Sequence, residues 1–409
     1  MTMELPYAVT TIIENLNEAG YEAFAVGGCV RDSLLLRTPG DWDITTQATP
    51  EEVKAIFKRT VDTGIQHGTV TVLMGKQGYE VTTYRVDGEY EDGRHPKEVS
   101  FTASLREDLR RRDFTINAMA YHPRTGLVDL FNGVQDLEEK RICCVGDAME
   151  RFTEDALRIL RAARFGAQLG FTIEEKTKVA MRTLAGRLAM VSVERIYTEF
   201  RKLLASDYPD YLFITVETKV FDVILPELSI RMHEEAVQTQ LLWQLRKSPK
   251  ELYVRLALLI DSCLCGEAEE KKDATARLLR RLKTDRETIE IVKTLVFLAQ
   301  TDIAEEEEAI RRFLSRYGEP MFERYCMLRE VNGDKTLENQ RLLAKKILER
   351  GDCLTIKELA ISGKEVMELG VCQGRMVGEI LGKLLNEVLK RPEINEKTVL
   401  LDMAKQWIE

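Results

Sequence analysis

Two neighbouring segments decide the fold of this chain: Phe24-Ala25-Val26-Gly27-Gly28-Cys29-Val30-Arg31-Asp32 and Gly40-Asp41-Trp42-Asp43-Ile44. The apolar run over residues 21–26 predicts a strand, and the two glycines then permit a tight turn with exposed backbone N–H groups. A short helix is expected over residues 29–37, and a second strand over residues 42–45. A glycine turn between a strand and a helix is suited to cradle phosphate.

A pair of aspartates stands at the start of the second predicted strand. Asp41 and Asp43 are two residues apart, and side chains alternate along a strand, so both carboxylates are expected on one face. Adjacent carboxylates repel each other unless they share a cation, and oxygen ligands beside phosphates favour Mg²⁺. The sequence therefore predicts a magnesium site next to a phosphate cradle.

The order and spacing of these motifs resemble a known signature. Gly-Gly-x-Val-Arg-Asp followed by Asp-x-Asp is similar to the class II nucleotidyltransferases of the polymerase-β-like superfamily. This family contains the tRNA CCA-adding enzymes of bacteria and eukaryotes and the bacterial poly(A) polymerases. The resemblance implies that Asp41 and Asp43 are catalytic metal ligands. It also implies that the nucleotide is bound by Gly27, Gly28 and Arg31.

A second motif of the resembled family covers Arg112-Asp113-Phe114-Thr115-Ile116-Asn117-Ala118. The resemblance implies that Arg112 meets triphosphate oxygens and that Asp113 and Asn117 help to select the ribose. A guanidinium fork matches phosphate, and short polar side chains are suited to a hydroxyl group. Residues 104–111 predict a helix that leads into the motif, and Arg110 and Arg111 are expected to face solvent.

A third motif lies on a helix predicted over residues 153–165, with Thr153 as its cap. Four residues recur at every third position and form one inclined row along this helix: Asp155, Arg158, Arg161 and Arg164. Phe165 is expected to pack elsewhere. In the resembled family this row is a protein template, in which the first Asp and Arg pair with the Watson–Crick edge of C or A and the later arginines touch phosphate. Cytosine and adenine carry an amine where uracil and guanine carry a carbonyl, so fixed side chains can exclude the latter two.

Two further carboxylates have expected positions. Glu80 lies on a strand predicted over residues 79–84, which forms a hairpin with residues 67–73 and is expected beside Asp43. The sequence leaves open whether Glu80 is a third metal ligand or an exposed strand residue. Residues 194–199 match the last motif of the family, Glu-Arg-x-x-x-Glu, which implies that Arg195 and Glu199 brace the helical neck.

The resemblance implies an α+β nucleotidyltransferase head, with a mixed sheet and helices, followed by an all-α region. We expect a catalytic head over residues 1–146, a base-selecting neck over 147–225, a body over 226–320 and a tRNA-binding tail over 321–409. Helical patterns cover residues 236–350, and no strand is expected after Gly146. Residues 87–100 predict a polar loop. The family has a flexible loop here that is needed to switch from C to A addition, which favours complete CCA addition.

Composition limits the partners of the chain. No apolar run approaches the roughly 18 residues of a membrane helix, and no signal peptide pattern is present. The eight cysteines form no C-x-x-C pair and predict reduced thiols in a cytoplasmic protein. The net charge of −9 argues against a large nucleic-acid surface, although a local basic patch is compatible with it. No membrane and no protein partner is implied.

The function implied by the resemblance is Mg²⁺-dependent addition of CCA to the 3′ end of tRNA from CTP and ATP, with release of pyrophosphate. An enzyme that adds only A to tRNA and a poly(A) polymerase are alternatives on the same fold. Such polymerases carry an Arg-Arg-Phe run where this chain has residues 65–69. A non-enzymatic RNA-binding protein is the alternative from another class, and the intact Asp41 and Asp43 disfavour it. The chain lacks both the P-loop and the dinucleotide-binding glycine motif, which excludes ordinary kinases and dehydrogenases.

Overall fold

The computed structural model describes residues 3–87, 99–334, 337–371 and 374–408. The chain divides into two compact units, residues 1–238 and residues 239–409. The strands that the structure describes all lie in the first unit, and the described elements of the second unit are helices. The predicted order of an α+β head followed by a helical region is confirmed.

The strands of the first unit form one large mixed sheet and two small ones. Their bounds are β1 Ala23–Val26, β2 Asp43–Thr46, β3 Thr60–Gly64, β4 Thr69–Met74, β5 Gln77–Thr83, β6 Arg85–Asp87, β7 Val99–Phe101, β8 Met119–His122, β9 Gly126–Asp129, β10 Arg141–Ile142 and β11 Thr172–Ile173. The large sheet has the order β3-β4-β5-β2-β1-β8-β9. Within it β2 and β5 are parallel and the other neighbours are antiparallel.

Along the chain, helices lie between the strands, and after β11 the described helices follow one another directly. Those up to residue 232 are α1 Tyr7–Glu18, α2 Gly28–Leu34, α3 Pro50–Ile56, α4 Leu105–Arg110, α5 Gly133–Glu138, α6 Ala148–Glu154, α7 Leu157–Leu169, α8 Glu175–Leu184, α9 Val193–Leu204, α10 Leu212–Glu217, α11 Val220–Ile224 and α12 Pro226–Met232. The later ones are α13 Glu235–Lys247, α14 Leu252–Cys263, α15 Ala268–Arg281, α16 Arg286–Leu298, α17 Glu307–Tyr317, α18 Glu319–Val331, α19 Leu337–Arg350, α20 Gly363–Glu368, α21 Arg375–Lys390 and α22 Lys397–Gln406. None of the helices in the described ranges is long and apolar enough to span a membrane.

Local sequence explains the elements that frame the site. Helix α1 buries Val9, Ile12, Ile13 and Leu16, which recur at helical spacing and form one apolar face. Helix α3 begins with a capping box at Thr49 and has a proline in its first turn, both of which favour a helix start. The alternating residues of β4 and β5 pair as an antiparallel hairpin. The hairpin predicted from residues 67–73 and 79–84 is therefore confirmed.

A core cluster fixes helix α4 against the sheet. Phe24 and Val26 of β1 pack with Tyr84, Leu109 and Ala120 in this cluster, all of them buried. Burial of a large apolar side chain contributes roughly 1.5–3 kcal/mol. The segment that follows α4, which carries the second motif, is thereby held beside the end of β1.

The helix predicted over residues 153–165 is interrupted. Helix α6 ends at Glu154 and α7 begins at Leu157, because Asp155 has an extended backbone with φ −136° and ψ 103°. The Leu157 backbone N–H donates to Asp155 Oδ1 at 3.0 Å, and such local bonds compete with helical ones. The predicted cap at Thr153 is therefore wrong: Thr153 lies inside α6, which Asp147 caps.

Strands β3, β6, β7 and β11 were not predicted. The irregularly paired β3 has largely exposed residues, so it lacks the apolar alternation that marks a strand. Strand β11 has only two residues and is held by its parallel pairing with β10, so the expectation of no strand after Gly146 is wrong in this detail. The predicted loop over residues 87–100 falls mostly on residues 88–98, outside the described residues, and paired strands β6 and β7 flank it.

Candidate active site

A cleft of about 420 Å³ lies where β1 ends and β2 begins. Its volume is in the range of small-molecule sites. The glycine turn, the aspartate pair, the segment after α4 and helix α7 supply its lining: Gly27, Gly28, Cys29, Arg31, Asp32, Gly40, Asp41, Asp43, Arg112, Asp113, Asn117, Arg161, Arg164 and Phe165. The predicted site residues thus come together here, apart from Asp155 and Arg158.

The glycine turn brings backbone close to a guanidinium. Gly27 has φ +82° and ψ −128°, a conformation that side chains disfavour. Its N–H donates to the Met119 carbonyl at 3.1 Å. A Cβ atom at this position would lie 3.0 Å from Arg112 Nη1. Glycine is therefore required both by the turn and by the approach of Arg112.

For CTP, a nucleotide that the family resemblance implies, Gly27→Ala should raise KM about tenfold, because the added methyl group displaces Arg112 and costs one charge-assisted hydrogen bond. The unfolding free energy should also fall by about 1–3 kcal/mol from backbone strain. Gly126→Ala is the matched control, since Gly126 also has a positive φ of +85° but nothing within 4 Å of the added atom. A rise in KM for both variants would show that strain, and not Arg112, is responsible. Steady-state kinetics and urea denaturation measure the two effects.

Burial and neighbouring carboxylates disfavour the ionised form of Asp43 in the aspartate pair. Asp43 opens β2 and is paired with Val26 of β1 and with Glu80 of β5, so the predicted position of Glu80 beside Asp43 is confirmed. Partial removal from water raises the pKa of the Asp43 carboxyl; Arg112 opposes this rise, and Glu80 and Asp41 add to it. A divalent cation would relieve this repulsion.

The donor set fits a magnesium-type ion. Asp41 and Asp43 both line the cleft and supply the hard oxygen ligands that Mg²⁺ prefers. Within the described ranges, no three His, Cys, Asp or Glu side chains converge on a common point. An ion held by this pair must therefore draw its other ligands from substrate phosphates and water, as is usual for Mg²⁺.

Two guanidiniums flank the carboxylates. Arg31 is buried and donates from Nη1 to Asn117 Oδ1 at 2.6 Å and from Nε to Asp32 Oδ1 at 2.9 Å. Arg112 donates from Nη2 to Asp108 Oδ2 at 3.2 Å. Its Nε is buried and has no hydrogen-bond partner among the described residues. Because a buried donor without a partner is costly, the site is suited to an anionic ligand such as phosphate.

A chain of charged side chains, most of them buried, joins the second motif to helices α7 and α9. Asp113 Oδ2 accepts from Arg161 Nε at 2.8 Å and from Arg161 Nη2 at 2.6 Å, and Asp113 Oδ1 accepts from Asn117 Nδ2 at 3.0 Å. Glu199 lies 3.7 Å from Arg161 and 2.5 Å from Arg164. Burial alone would raise the pKa of Asp113, but Arg161 and Asn117 hold it below its ordinary value. The carboxylate is therefore charged under physiological conditions.

Asp113→Asn should lower the unfolding free energy near pH 7 by about 3 kcal/mol, because Arg161 loses a buried partner. The folded-state pKa of Asp113 is lowered, so this stabilisation is complete above the unfolded-state pKa of about 4 and is lost as the pH falls through the folded value. Urea denaturation followed by circular dichroism should show the difference from wild type shrinking below about pH 4. An unchanged difference across this range would contradict the pairing. The control is Asp62→Asn, which removes an exposed ion pair with Lys54 and should cost less than about 1 kcal/mol.

Phe165 lines the cleft. The expectation that it packs elsewhere is therefore wrong. The guanidinium carbons of Arg31, Arg161 and Arg164 lie 5.1, 5.3 and 3.8 Å from the centre of its ring. Arginines over an aromatic face are attracted by the ring electrons and are held in place by them. The available signal was its spacing of four from Arg161, which places the two side chains on the same face of a helix.

Asp155 and Arg158 lie outside the cleft, near the start of α7. Asp155 Oδ2 accepts from Arg195 Nη2 at 2.9 Å. Arg158 donates to Glu154 Oε2 at 2.7 Å and to the Arg111 carbonyl at 2.8 Å. Both side chains are thus held by neighbours. Arg195 and Glu199, which the family resemblance implies brace the neck, pair with Asp155 and Arg164.

The basic end of α4 differs from the prediction at one residue. Arg110 is exposed as expected, but Arg111 is half-buried and donates from Nη2 to Asp108 Oδ1 at 2.6 Å. The solvent-facing role expected for Arg111 is therefore wrong, because Asp108 is fully buried and needs cationic partners. The missed signal was Asp108, an acid three residues before Arg111 on the predicted helix.

Known proteins resemble the chain over its whole length. It is 38% identical over 399 residues to the CCA-adding enzyme of Geobacillus sp. (strain WCH70), with 97% of this chain and 95% of the relative covered. The CCA-adding enzyme of Enterococcus faecalis (strain ATCC 700802 / V583) is 38% identical over 409 residues, with 97% and 94% covered. The crystal structure of the Bacillus stearothermophilus CCA-adding enzyme in complex with CTP matches with a TM-score of 0.81 and 33% identity, over 99% of this chain and 98% of that one.

Family models match the chain in three consecutive regions. Residues 23–143 match the poly A polymerase head domain, residues 170–231 a probable RNA and SrmB binding site of polymerase A, and residues 262–404 a putative second domain of tRNA nucleotidyltransferase. The fold of the head and the cleft at its centre define a nucleotidyltransferase. More narrowly, the chain belongs to the family of the CCA-adding enzymes.

Proposed function

We propose that this protein adds C, C and A in turn to the 3′ end of tRNA, using CTP and ATP and releasing pyrophosphate, without a nucleic-acid template. The observation that carries the proposal is the cleft itself, in which Asp41 and Asp43 face the guanidiniums of Arg31 and Arg112. This combination suits in-line transfer of a nucleotidyl group, in which charge develops on phosphate oxygens.

The chain's own groups bind and orient the triphosphate. Arg31 and Arg112 offset its charge, and the backbone at Gly27 and Gly28 permits its close approach. Arg31 is held by Asn117 and Asp32, so little side-chain freedom is lost when phosphate binds. In the proposed reaction, a triphosphate held in this way would have its α-phosphorus beside Asp41 and Asp43.

Nucleotidyltransferases of this family use a divalent metal, and we propose that it is Mg²⁺ held by Asp41 and Asp43. When bound, the ion would activate the 3′-hydroxyl of the tRNA and neutralise charge on the triphosphate. Glu80 neighbours Asp43 in the sheet, and its charge adds to the field that attracts a cation.

Sugar and base are selected by different parts of the chain. We propose that Asp113 and Asn117, which are hydrogen-bonded to each other, read the ribose. Asp155 and Arg158 pair with the base, and Arg161 and Arg164 stabilise phosphate. Support for a fixed base reader comes from the ion pairs that hold Asp155 to Arg195 and Arg158 to Glu154.

We propose that the chain has the four regions that the sequence predicts: a catalytic head over residues 1–146, a neck over 147–225, a body over 226–320 and a tRNA-binding tail over 321–409. We also propose a cytoplasmic location. Cys29, Cys143, Cys144, Cys326 and Cys353 are free thiols, as expected for a reducing compartment.

One assay tests the proposed reaction. Three tRNA transcripts, ending before CCA, after C and after CC, are each offered CTP or ATP with purified protein. Incorporation of C into the first two and of A into the third supports CCA addition. Labelling of only the CC-ended transcript would instead identify an A-adding enzyme. Long A tails on any RNA would identify a poly(A) polymerase. If neither nucleotide is incorporated, the remaining alternative is a non-enzymatic RNA-binding protein.

A further inference from the structure

A buried carboxylate lies directly behind the cleft. The Asp108 side chain is fully excluded from solvent and contacts two arginines, with Arg111 Nη2 at 2.6 Å from Oδ1 and Arg112 Nη2 at 3.2 Å from Oδ2. Removing a carboxylate from water is costly, so it is retained only where partners compensate it. The two guanidiniums hold the pKa of Asp108 below its ordinary value despite its burial.

The same carboxylate is tied to the strand that carries the catalytic pair. The Thr45 hydroxyl donates to Asp108 Oδ2 at 3.2 Å, and Thr45 is itself buried. Thr45 follows Asp43 by two residues on β2, so both side chains project from the same face of the strand. A single carboxylate oxygen, Oδ2, therefore connects β2 to Arg112.

Arg111 and Arg112 contact Asp108 in different ways. Arg111 contacts Oδ1 through both Nε and Nη2, at 3.2 and 2.6 Å, so the carboxylate holds two donors of this guanidinium. Arg112 makes one longer contact through Nη2. Its Nη1 is close to Gly27, and its Nε has no partner among the described residues. One carboxylate facing two cations leaves a net positive charge, and Arg112 is the cation that lines the cleft.

We propose that Asp108 is a positioning residue for the nucleotide: it orients the Arg112 guanidinium toward the triphosphate and fixes its distance from the catalytic strand β2. The inference rests on the proposed role of Arg112 in phosphate binding. Asp108 touches neither substrate nor reacting atoms; it acts through Arg112.

The test is equilibrium binding of CTP by calorimetry in metal-free buffer, together with KM for CTP and for tRNA. Asp108→Asn keeps the shape of the side chain but removes its charge. We expect Kd and KM for CTP to rise about 10- to 100-fold, the loss of one charge-assisted hydrogen bond, with KM for tRNA unchanged. Thr45→Val, which removes only the hydroxyl link, should raise Kd for CTP by a smaller factor and provides a second variant if Asp108→Asn fails to fold.

A double-mutant cycle with Arg112→Ala separates positioning from general stabilisation. If Asp108 acts through Arg112, then Asp108→Asn should add no further weakening of CTP binding once Arg112 is absent. Additive effects on Kd would overturn the proposal. Should Arg112→Ala weaken binding and Asp108→Asn leave it unchanged, only this inference fails; should Arg112→Ala itself have no effect, the proposed phosphate role of Arg112 fails.

Asp352→Asn is the matched control. Asp352 is also a carboxylate with little exposure that pairs with two arginines, Arg311 at 3.3 Å and Arg350 at 2.8 Å, but it belongs to the second unit. Its loss should lower thermal stability and leave Kd for CTP as in wild type. Equal weakening of CTP binding in this variant would show that the effect of Asp108→Asn is one of global stability.

Discussion

Asp41→Asn and Asp43→Asn should each lower kcat for nucleotide addition by at least about 1,000-fold, since several kcal/mol of transition-state stabilisation are lost with the metal. Asparagine keeps the shape of the side chain but removes the charge that a divalent cation requires. Single-turnover addition of C to a tRNA transcript measures the effect. Asp62→Asn is the control, since Asp62 is an exposed aspartate on another strand of the same sheet and its variant should retain full activity.

Binding of CTP distinguishes loss of chemistry from loss of the site. In metal-free buffer both variants should bind CTP at least as tightly as wild type, because Arg31 and Arg112 are intact and a repelling carboxylate is gone. Wild-type rates in Asp41→Asn or Asp43→Asn would refute the proposed catalytic role of the pair.

Arg158→Ala should lower the preference for CTP over UTP by about 100-fold or more, because a site built to hydrogen-bond one base edge rejects analogues through unpaired polar groups. Asp155→Ala should have a similar effect, since a carboxylate accepts from the amine of C and A and not from a carbonyl. The ratio of kcat/KM for CTP and UTP on a CCA-less transcript measures the preference.

Arg182→Ala is the control for the arginine variants. Arg182 is exposed and lies in the last turn of the neighbouring helix α8, so its loss should leave the CTP/UTP ratio unchanged. An unaltered ratio in both Arg158→Ala and Asp155→Ala would place base selection elsewhere. The cleft residues Arg161 and Arg164 would then be the next candidates.

Sequence patterns predicted most of the helices because their causes are local. The apolar spacing in α1 and the capping box of α3 are visible in a few consecutive residues, and helices occur along residues 236–350, as their patterns predict. The break at Asp155 was missed, since a continuous helix also satisfied the spacing of the arginines. An aspartate that accepts its own local hydrogen bond decides between the two.

Contacts and burial in the folded chain explain the other errors. Strand β11 exists through its contact with β10. Arg111 turns inward because Asp108 is buried beside it, and Phe165 faces the cleft because three arginines from α2 and α7 gather around its ring. Asp108 and Arg161 stand only three and four residues from Arg111 and Phe165, whereas Arg31 and β10 are distant in the sequence.

The amino-acid sequence by itself determined the parts whose chemistry is local: the glycine turn, the aspartate pair, the second motif and the arginine row. Only the tertiary structure decided which of them share a cleft, that Asp155 and Arg158 stand outside it, and that Asp108 links Arg112 to β2. The physical reason is that a strand or helix start depends on neighbours in the chain, whereas a buried charge takes whichever partner the fold brings within a few ångströms.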